Sequence, residues 1–292
     1  MNCFVLPPTL DDGLEGPIVP VHGGNGVGAL GVFCNINPLL DTGCEDHPDP
    51  LLLDGGTSEP GAGALLLVLT AASRVSEAGE RGGVARAVVW SGTLGSDLFE
   101  PDIRTWGPAG RARFAAMIRG PVRRLLGNGG EVRLALRPHA RHVLSDANGC
   151  AALFAGGDVP AGLEVLADPA AMFTASMLRY AEDHLTRMFA VFGHLARAGR
   201  LAGVVLANVQ HPPDATGPEV DGATADFGPP LKRTAFFDGL LPAETIVRLW
   251  RTHLPADLPV VLEADRAGVA AEKLAGLAAA GGAPPAAGRL PS

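Results

Sequence analysis

Four apolar runs in the second half of this chain each end in polar or ionisable residues: 132–139 (VRLALRPH), 163–169 (LEVLADP), 204–211 (VVLANVQH) and 260–265 (VVLEAD). Short runs of this kind, separated by stretches of helical periodicity, read as parallel strands joined by right-handed crossovers. That alternation confines the chain to the α/β class. In such sheets the strand C-termini and the loops after them converge on one site, so the polar tips are where chemistry is to be sought.

The rest of the pattern fills in around these runs. Helical periodicity is read over 59–79, over 108–126 (proline near its start, Gly-Asn-Gly-Gly at 127–130 as its stop), over 146–155, 242–253 and 267–280. A longer helix is read over 174–198, with Met177, Tyr180, His184, Met188 and Val191 near one face. Strands are read at 86–91, 131–137, 162–167, 203–209 and 259–264, and a Pro-, Gly- and Asp-rich loop at 211–241. An eight-stranded barrel then needs three more strands from the first 84 residues. Only the short apolar runs 4–6, 18–21 and 30–36 offer them, with no room for two full helices. The expected architecture is one (β/α)8 barrel domain over 1–280, with 1–57 abbreviated or irregular and a disordered tail at 281–292.

Composition narrows the partners. Hydrophobic residues make up 47% of the 292, enough for a substantial core in a single α/β barrel. A formal net charge of −8 without a basic block argues against nucleic acid held through its phosphates. Arg111, Arg113, Arg123 and Arg124 read as a solvated helix face. The N-terminus has no secretory pattern, and the longest apolar run, 64–72, is about half a membrane span. Cys3, Cys34, Cys44 and Cys150 have no zinc-site spacing and read as reduced thiols, so a cytoplasmic protein without a membrane partner is expected. The stretch 23–28 (GGNGVG) lacks the Lys-Ser/Thr of a phosphate loop and reads as a plain loop. Oligomeric state is not legible.

On barrel geometry Arg137, His139, Asp168, Asn208, His211, Glu263 and Asp265 lie toward one mouth. Carboxylates beside histidines suit acid–base work or a divalent metal. Asn208 and His139 each have two readings, a ligand contact or an internally satisfied strand-end group. His211 lies at the start of a loop that could close over a substrate.

Residues 88–95 (VVWSGTLG), 133–139 (RLALRPH), 166–170 (LADPA), 205–209 (VLANV) and 261–263 (VLE) together resemble the sugar phosphate isomerase/epimerase superfamily, the xylose-isomerase-like TIM barrels. The likeness runs from about Val84 to Ala280. It implies a (β/α)8 fold and proton transfer next to a carbonyl of a small polyhydroxylated, carbohydrate-like compound, with a divalent Mn or Mg ion stabilising the enediolate. Carried over by position, the family's first Glu ligand is Arg137 here and its His is Val205, while Asp168 and Glu263 are kept. Ala171-Met172 stand where many members carry His or Asn.

Three expectations follow. In the first, Glu263 and Asp168 act as acid and base and Arg137 takes over the charge of a lost metal, while His139, Asn208 and His211 bind substrate. In the second, the protein is an inactive barrel that binds a ligand or partner protein. In the third, a divalent metal is kept by a rebuilt shell of His139, Asp168, His211 and Glu263, with Asp168 and Glu263 as its carboxylate ligands.

Overall fold

The apolar runs pair side by side through their backbones, and the register shows which residues share a face. The computed structural model describes residues 3–6, 14–20, 30–39, 65, 69, 85–126, 132–211, 231–263 and 267–280. The expectations at 23–28, 281–292 and Asp265 fall outside them, as does most of 59–79, where Leu65 and Leu69 are helical and buried.

Seven strands form one curled parallel sheet: β1 (Cys3–Leu6), β3 (Gly31–Cys34), β4 (Ala85–Trp90), β5 (Val132–Arg137), β6 (Leu163–Ala167), β7 (Leu201–Leu206) and β10 (Val260–Glu263). Their order is β1, β10, β7, β6, β5, β4, β3. An eighth strand, β2 (Leu14–Pro20), pairs antiparallel with both β1 and β3 and so joins the two ends of that sheet. The three strands sought in the first 84 residues are therefore present. The middle one reverses direction because the links from Leu6 to Leu14 and from Pro20 to Gly31 are too short. A parallel crossover takes a dozen or more residues, so the chain turns back as hairpins instead.

Among the described residues, five helices of nine residues or more follow the strands: α1 (Pro108–Met117), α2 (Ala147–Ala155), α3 (Ala181–Arg197), α4 (Ala243–His253) and α5 (Ala267–Ala280). Helix α1 continues through a π turn at Ile118–Val122, which holds Pro121, into Arg123–Leu126. A proline has no N–H to give the ladder, and a π turn is one way to absorb it. The region 174–198 begins as a 3-10 helix, Ala175–Tyr180, before α3 starts. Its buried face is Leu185, Met188, Phe189, Phe192 and Leu195. The face read from sequence is thus turned: Met188 keeps its place, whereas Tyr180 is 55% exposed. The phenylalanines supply more apolar area than the methionine–tyrosine line and set the helix rotation. No helix among the described residues is long and apolar enough to cross a membrane.

One further element was not expected. Residues Asn208–Gln210 (β8) and Lys232–Thr234 (β9) form a small antiparallel hairpin at the end of β7, apart from the main sheet.

Alternate strand residues share a face. Partners in register at the sheet's mid-height are Phe4, Val261 and Val205 on one side and Phe33, Val88 and Ala135 on the other. Contacts between non-neighbouring strands show that this face is the concave interior: Arg137 on β5 reaches both Phe33 on β3 and Glu263 on β10. Above the apolar layer sit Trp90, Arg137, Asp168 and Glu263. Below it, Glu164 (1% exposed) binds Arg86 at 2.8 Å and also Arg133.

Candidate functional site: an ion quartet at the strand tips

Strand β5 ends in Arg137, β10 in Glu263, and Asp168 follows β6 directly. Residue alternation turns all three inward, and the curl of the sheet brings them together. Arg137 Nε donates to Asp168 Oδ2 at 2.8 Å, and Arg137 Nη2 lies 2.7 Å from the same oxygen. Glu263 Oε1 is 3.8 Å from Arg137 Nη2. The fourth member comes from the hairpin: Arg233 Nη1 donates to Asp168 Oδ1 (3.1 Å) and Oδ2 (2.9 Å). Its Nε donates to Glu263 Oε1 at 2.8 Å, and its Nη2 pairs with the same oxygen. The Ala171 N–H gives Asp168 Oδ1 one more hydrogen bond at 3.1 Å.

The quartet is graded in depth. Asp168 and Arg137 have side chains 0% and 2% exposed, whereas Glu263 and Arg233 stand at 26% and 28%. Arg137 lies over the faces of Trp90 (4.2 Å) and Phe33 (5.0 Å), so its charge is held by ring quadrupoles as well as by carboxylates. Burial would raise the Asp168 carboxyl, yet Arg233 and Arg137 hold it below its ordinary value. Burial lowers Arg137, with Asp168 acting against that. In Arg233 the two carboxylates outweigh burial and the guanidinium is raised.

Next to the quartet is an aromatic group of Trp90, Phe99, His139 and His142. Trp90 meets both imidazoles edge-on at 5.7 and 5.4 Å. His142 is fully buried and its Nε2 donates to the Leu98 carbonyl at 2.8 Å, leaving Nδ1 without a partner among the described residues. Burial pushes His142 down to about 4. His139 is half-buried and lowered well below its ordinary value by burial, then by His142, Arg233, Arg141 and Arg137. Its Nδ1 accepts the Arg141 N–H at 3.1 Å, so in the neutral ring the proton rests on Nε2.

Of the residues read from sequence, Arg137, Asp168 and Glu263 meet as expected, and His139 flanks them. Asn208 is 1% exposed and fully used by the backbone: Nδ2 donates to the Phe236 and Leu241 carbonyls, and Oδ1 accepts from Val209 and Leu241 N–H. Its amide holds the hairpin and has no donor left for a ligand. His211 is exposed at the end of β8. Arg233, which completes the site, falls in the stretch 211–241 read as loop, where Lys232 and Arg233 stand as a basic pair among acidic residues. That isolated pair was the one available signal.

A divalent cation does not fit this donor set. Mn or Mg asks for several oxygen or imidazole donors. Both Asp168 oxygens and one Glu263 oxygen are engaged by guanidinium groups, and two more cations would sit beside the metal. Among the described residues no three of His, Cys, Asp and Glu come together as a metal would need, which includes the His139–Asp168–His211–Glu263 shell. No protein-family model matches the chain, and no curated protein matches it.

Proposed function

We propose that the chain is a divergent (β/α)8 barrel of the sugar isomerase/epimerase type, acting on a small polyhydroxylated carbonyl compound without a divalent metal. The observation that carries this reading is the quartet itself: two guanidinium groups lie between two carboxylates at the strand tips. In proton transfer next to a carbonyl, negative charge grows on the carbonyl oxygen, and fixed cations there lower the barrier. Arg137 is fixed by Asp168, Trp90 and Phe33, so it needs little reorganisation to meet that charge. Glu263 is the proton-transfer group. Only its Oε1 is engaged among the described residues, and it is the more exposed of the two carboxylates. Asp168 is a fixed counter-ion rather than a base, because both of its oxygens are taken and its carboxyl is held low. The ring of eight strands with helices after β4, β5, β6, β7 and β10 supports the barrel reading, with β2 as its irregular part.

The test is turnover across a panel of aldoses and ketoses with a chelator present. Activity should survive chelation, and Glu263→Gln should lower kcat by about 100-fold or more, the usual scale of general acid–base catalysis. A stoichiometric divalent ion in the pure protein, or activity abolished by chelation, overturns the metal-free reading. A second reading, a barrel that binds without turnover, is favoured by the saturation of Asp168. It predicts sugar binding by calorimetry with no conversion of any panel member.

A further inference from the structure

Asn35 is the first residue beyond β3, in the short apolar run 30–36 that periodicity offers as a strand. Strand β3 meets β4 with Cys34 opposite Val89, and β4 meets β5 with Trp90 opposite Arg137. Carried one residue further, that register sets Asn35, Trp90 and Arg137 side by side in the tier above the apolar layer. Their contacts follow the same order. Trp90 Nε1 donates to Asn35 Oδ1 at 2.8 Å, and the Arg137 guanidinium lies over the Trp90 ring at 4.2 Å. Arg137 in turn holds Asp168. An amide from the N-terminal part of the chain is thus joined to the quartet through one indole.

The indole depends on that bond. Trp90 is 4% exposed, and its other ring neighbours, Phe33, Phe99, His139 and His142, meet it edge-on with centres 5.8, 5.2, 5.7 and 5.4 Å away. Ring edges hold the indole in place but give nothing to its N–H. A buried N–H without an acceptor is costly, so the bond to Asn35 selects the rotation of the indole. Turning the indole would turn the π face on which Arg137 rests. Nearby Asn37 does different work: its Oδ1 accepts the Thr93 N–H at 3.1 Å, and its Nδ2 donates to the Thr93 carbonyl at 3.0 Å. Asn37 therefore ties the segment after β3 to the segment after β4. The Asn35 amide oxygen goes instead to the side chain against which the guanidinium lies.

We propose that Asn35 is a positioning residue for Arg137, acting through the Trp90 indole. This rests on the proposed function, in which Arg137 meets the charge that grows on a carbonyl oxygen, and it adds what sets the direction of that group. A cation speeds such a step only if it already stands where the charge will appear. A small turn of the guanidinium therefore costs rate more than binding.

The experiment pairs turnover on the sugar panel with hydrogen exchange at the Arg137 Nε–H, followed by heteronuclear NMR of the full chain. Asn35→Leu keeps the volume and removes the acceptor. It should lower kcat by about tenfold or more while KM stays within about twofold, and Arg137 Nε–H exchange should speed up. Asn35→Asp keeps an acceptor oxygen and should recover most of both losses. A raised KM with kcat unchanged overturns the proposal, and so does Arg137 exchange equal to wild type. If Asn35→Leu fails to fold, Trp90→Phe removes the other end of the bond and carries the same readouts. In that background Asn35→Ala should do no further harm, and full additivity of the two losses overturns the relay. Faster Arg137 exchange, reversed in Asn35→Asp, in a protein that converts no panel sugar would sink the proposed function and leave the positioning role standing. Turnover with Arg137 exchange unmoved by Asn35→Leu would do the opposite.

Discussion

Asp168 is the residue on which the mouth turns. It is fully buried, carries a charge, and is the shared acceptor of Arg137 and Arg233. Removing one partner of a buried ion pair leaves the other charge uncompensated, which costs about 3–5 kcal/mol. Asp168→Ala should therefore destabilise the protein by that amount in chemical denaturation, with Arg137, only 2% exposed, as the stranded charge. A loss below about 1 kcal/mol would mean that Arg137 is carried by Trp90 and Phe33 instead. At this scale much was legible. The polar ends of β5, β6 and β10 named Arg137, Asp168 and Glu263 because strand alternation and a common strand direction are local rules. Arg233 was not legible as a site residue, since its partners lie 65 and 30 positions away and no local rule links them. Asn208 stood at a strand tip like the others, but whether an amide faces a ligand or its own backbone depends on a hairpin that the sequence pattern does not display.

The hairpin is the element that sequence periodicity overlooked. Strands β8 and β9 have three residues each, too short to show alternation above chance, and β9 lay within a stretch read as loop. Its position is set by Asn208, whose amide makes four hydrogen bonds to the hairpin and the segment after it. Gly239 packs against that amide so closely that a Cβ would sit 2.3 Å from Asn208 Cγ. Asn208→Ala removes the amide and leaves buried backbone groups unpaired, at about 1–3 kcal/mol each for those that find no new partner. The expected result is a destabilised hairpin. Amide exchange at Val209 and Leu241 should speed up, and Arg233 should lose its hold on Asp168 and Glu263. Exchange rates unchanged from wild type would show that the β8–β9 ladder alone fixes the hairpin. Hairpin and quartet are thus one unit: the stretch read as a loop that could close over a substrate contributes at least one side chain, Arg233, to the mouth.

For the whole molecule, the strand order came out of the sequence because helices of ordinary length separate β4, β5, β6, β7 and β10. The direction of β2 did not, because hairpin or crossover is decided by link length rather than by the strand itself. Charge burial gives the whole chain a pH signature. His139 and His142 are both held below the ordinary histidine value, His142 at about 4. Between about pH 6.5 and 4 the unfolded chain binds protons that the folded chain refuses, so stability rises with pH through that window. Below about pH 4, Asp168, whose carboxyl is lowered in the fold, adds a further loss in the same direction. Urea midpoints should fall as pH is lowered from 7 to 4.5, and His142→Gln should flatten that slope by up to about 3 kcal/mol over the window. A slope equal to wild type in His142→Gln would mean that the ring is protonated in the fold.

The concave interior carries charge at both ends. Glu164 ties Arg86 and Arg133 together at the floor, and the quartet closes the top. Between them lies the apolar layer of Val88, Ala135 and Leu166, so the two clusters are separated by about 13 Å along the strand. At that spacing, with no shared partner, energetic effects of substitution add rather than couple. The floor can hold three strands in register whatever happens above it. The residues of the mouth can therefore be exchanged without renegotiating the foundation on which the sheet stands.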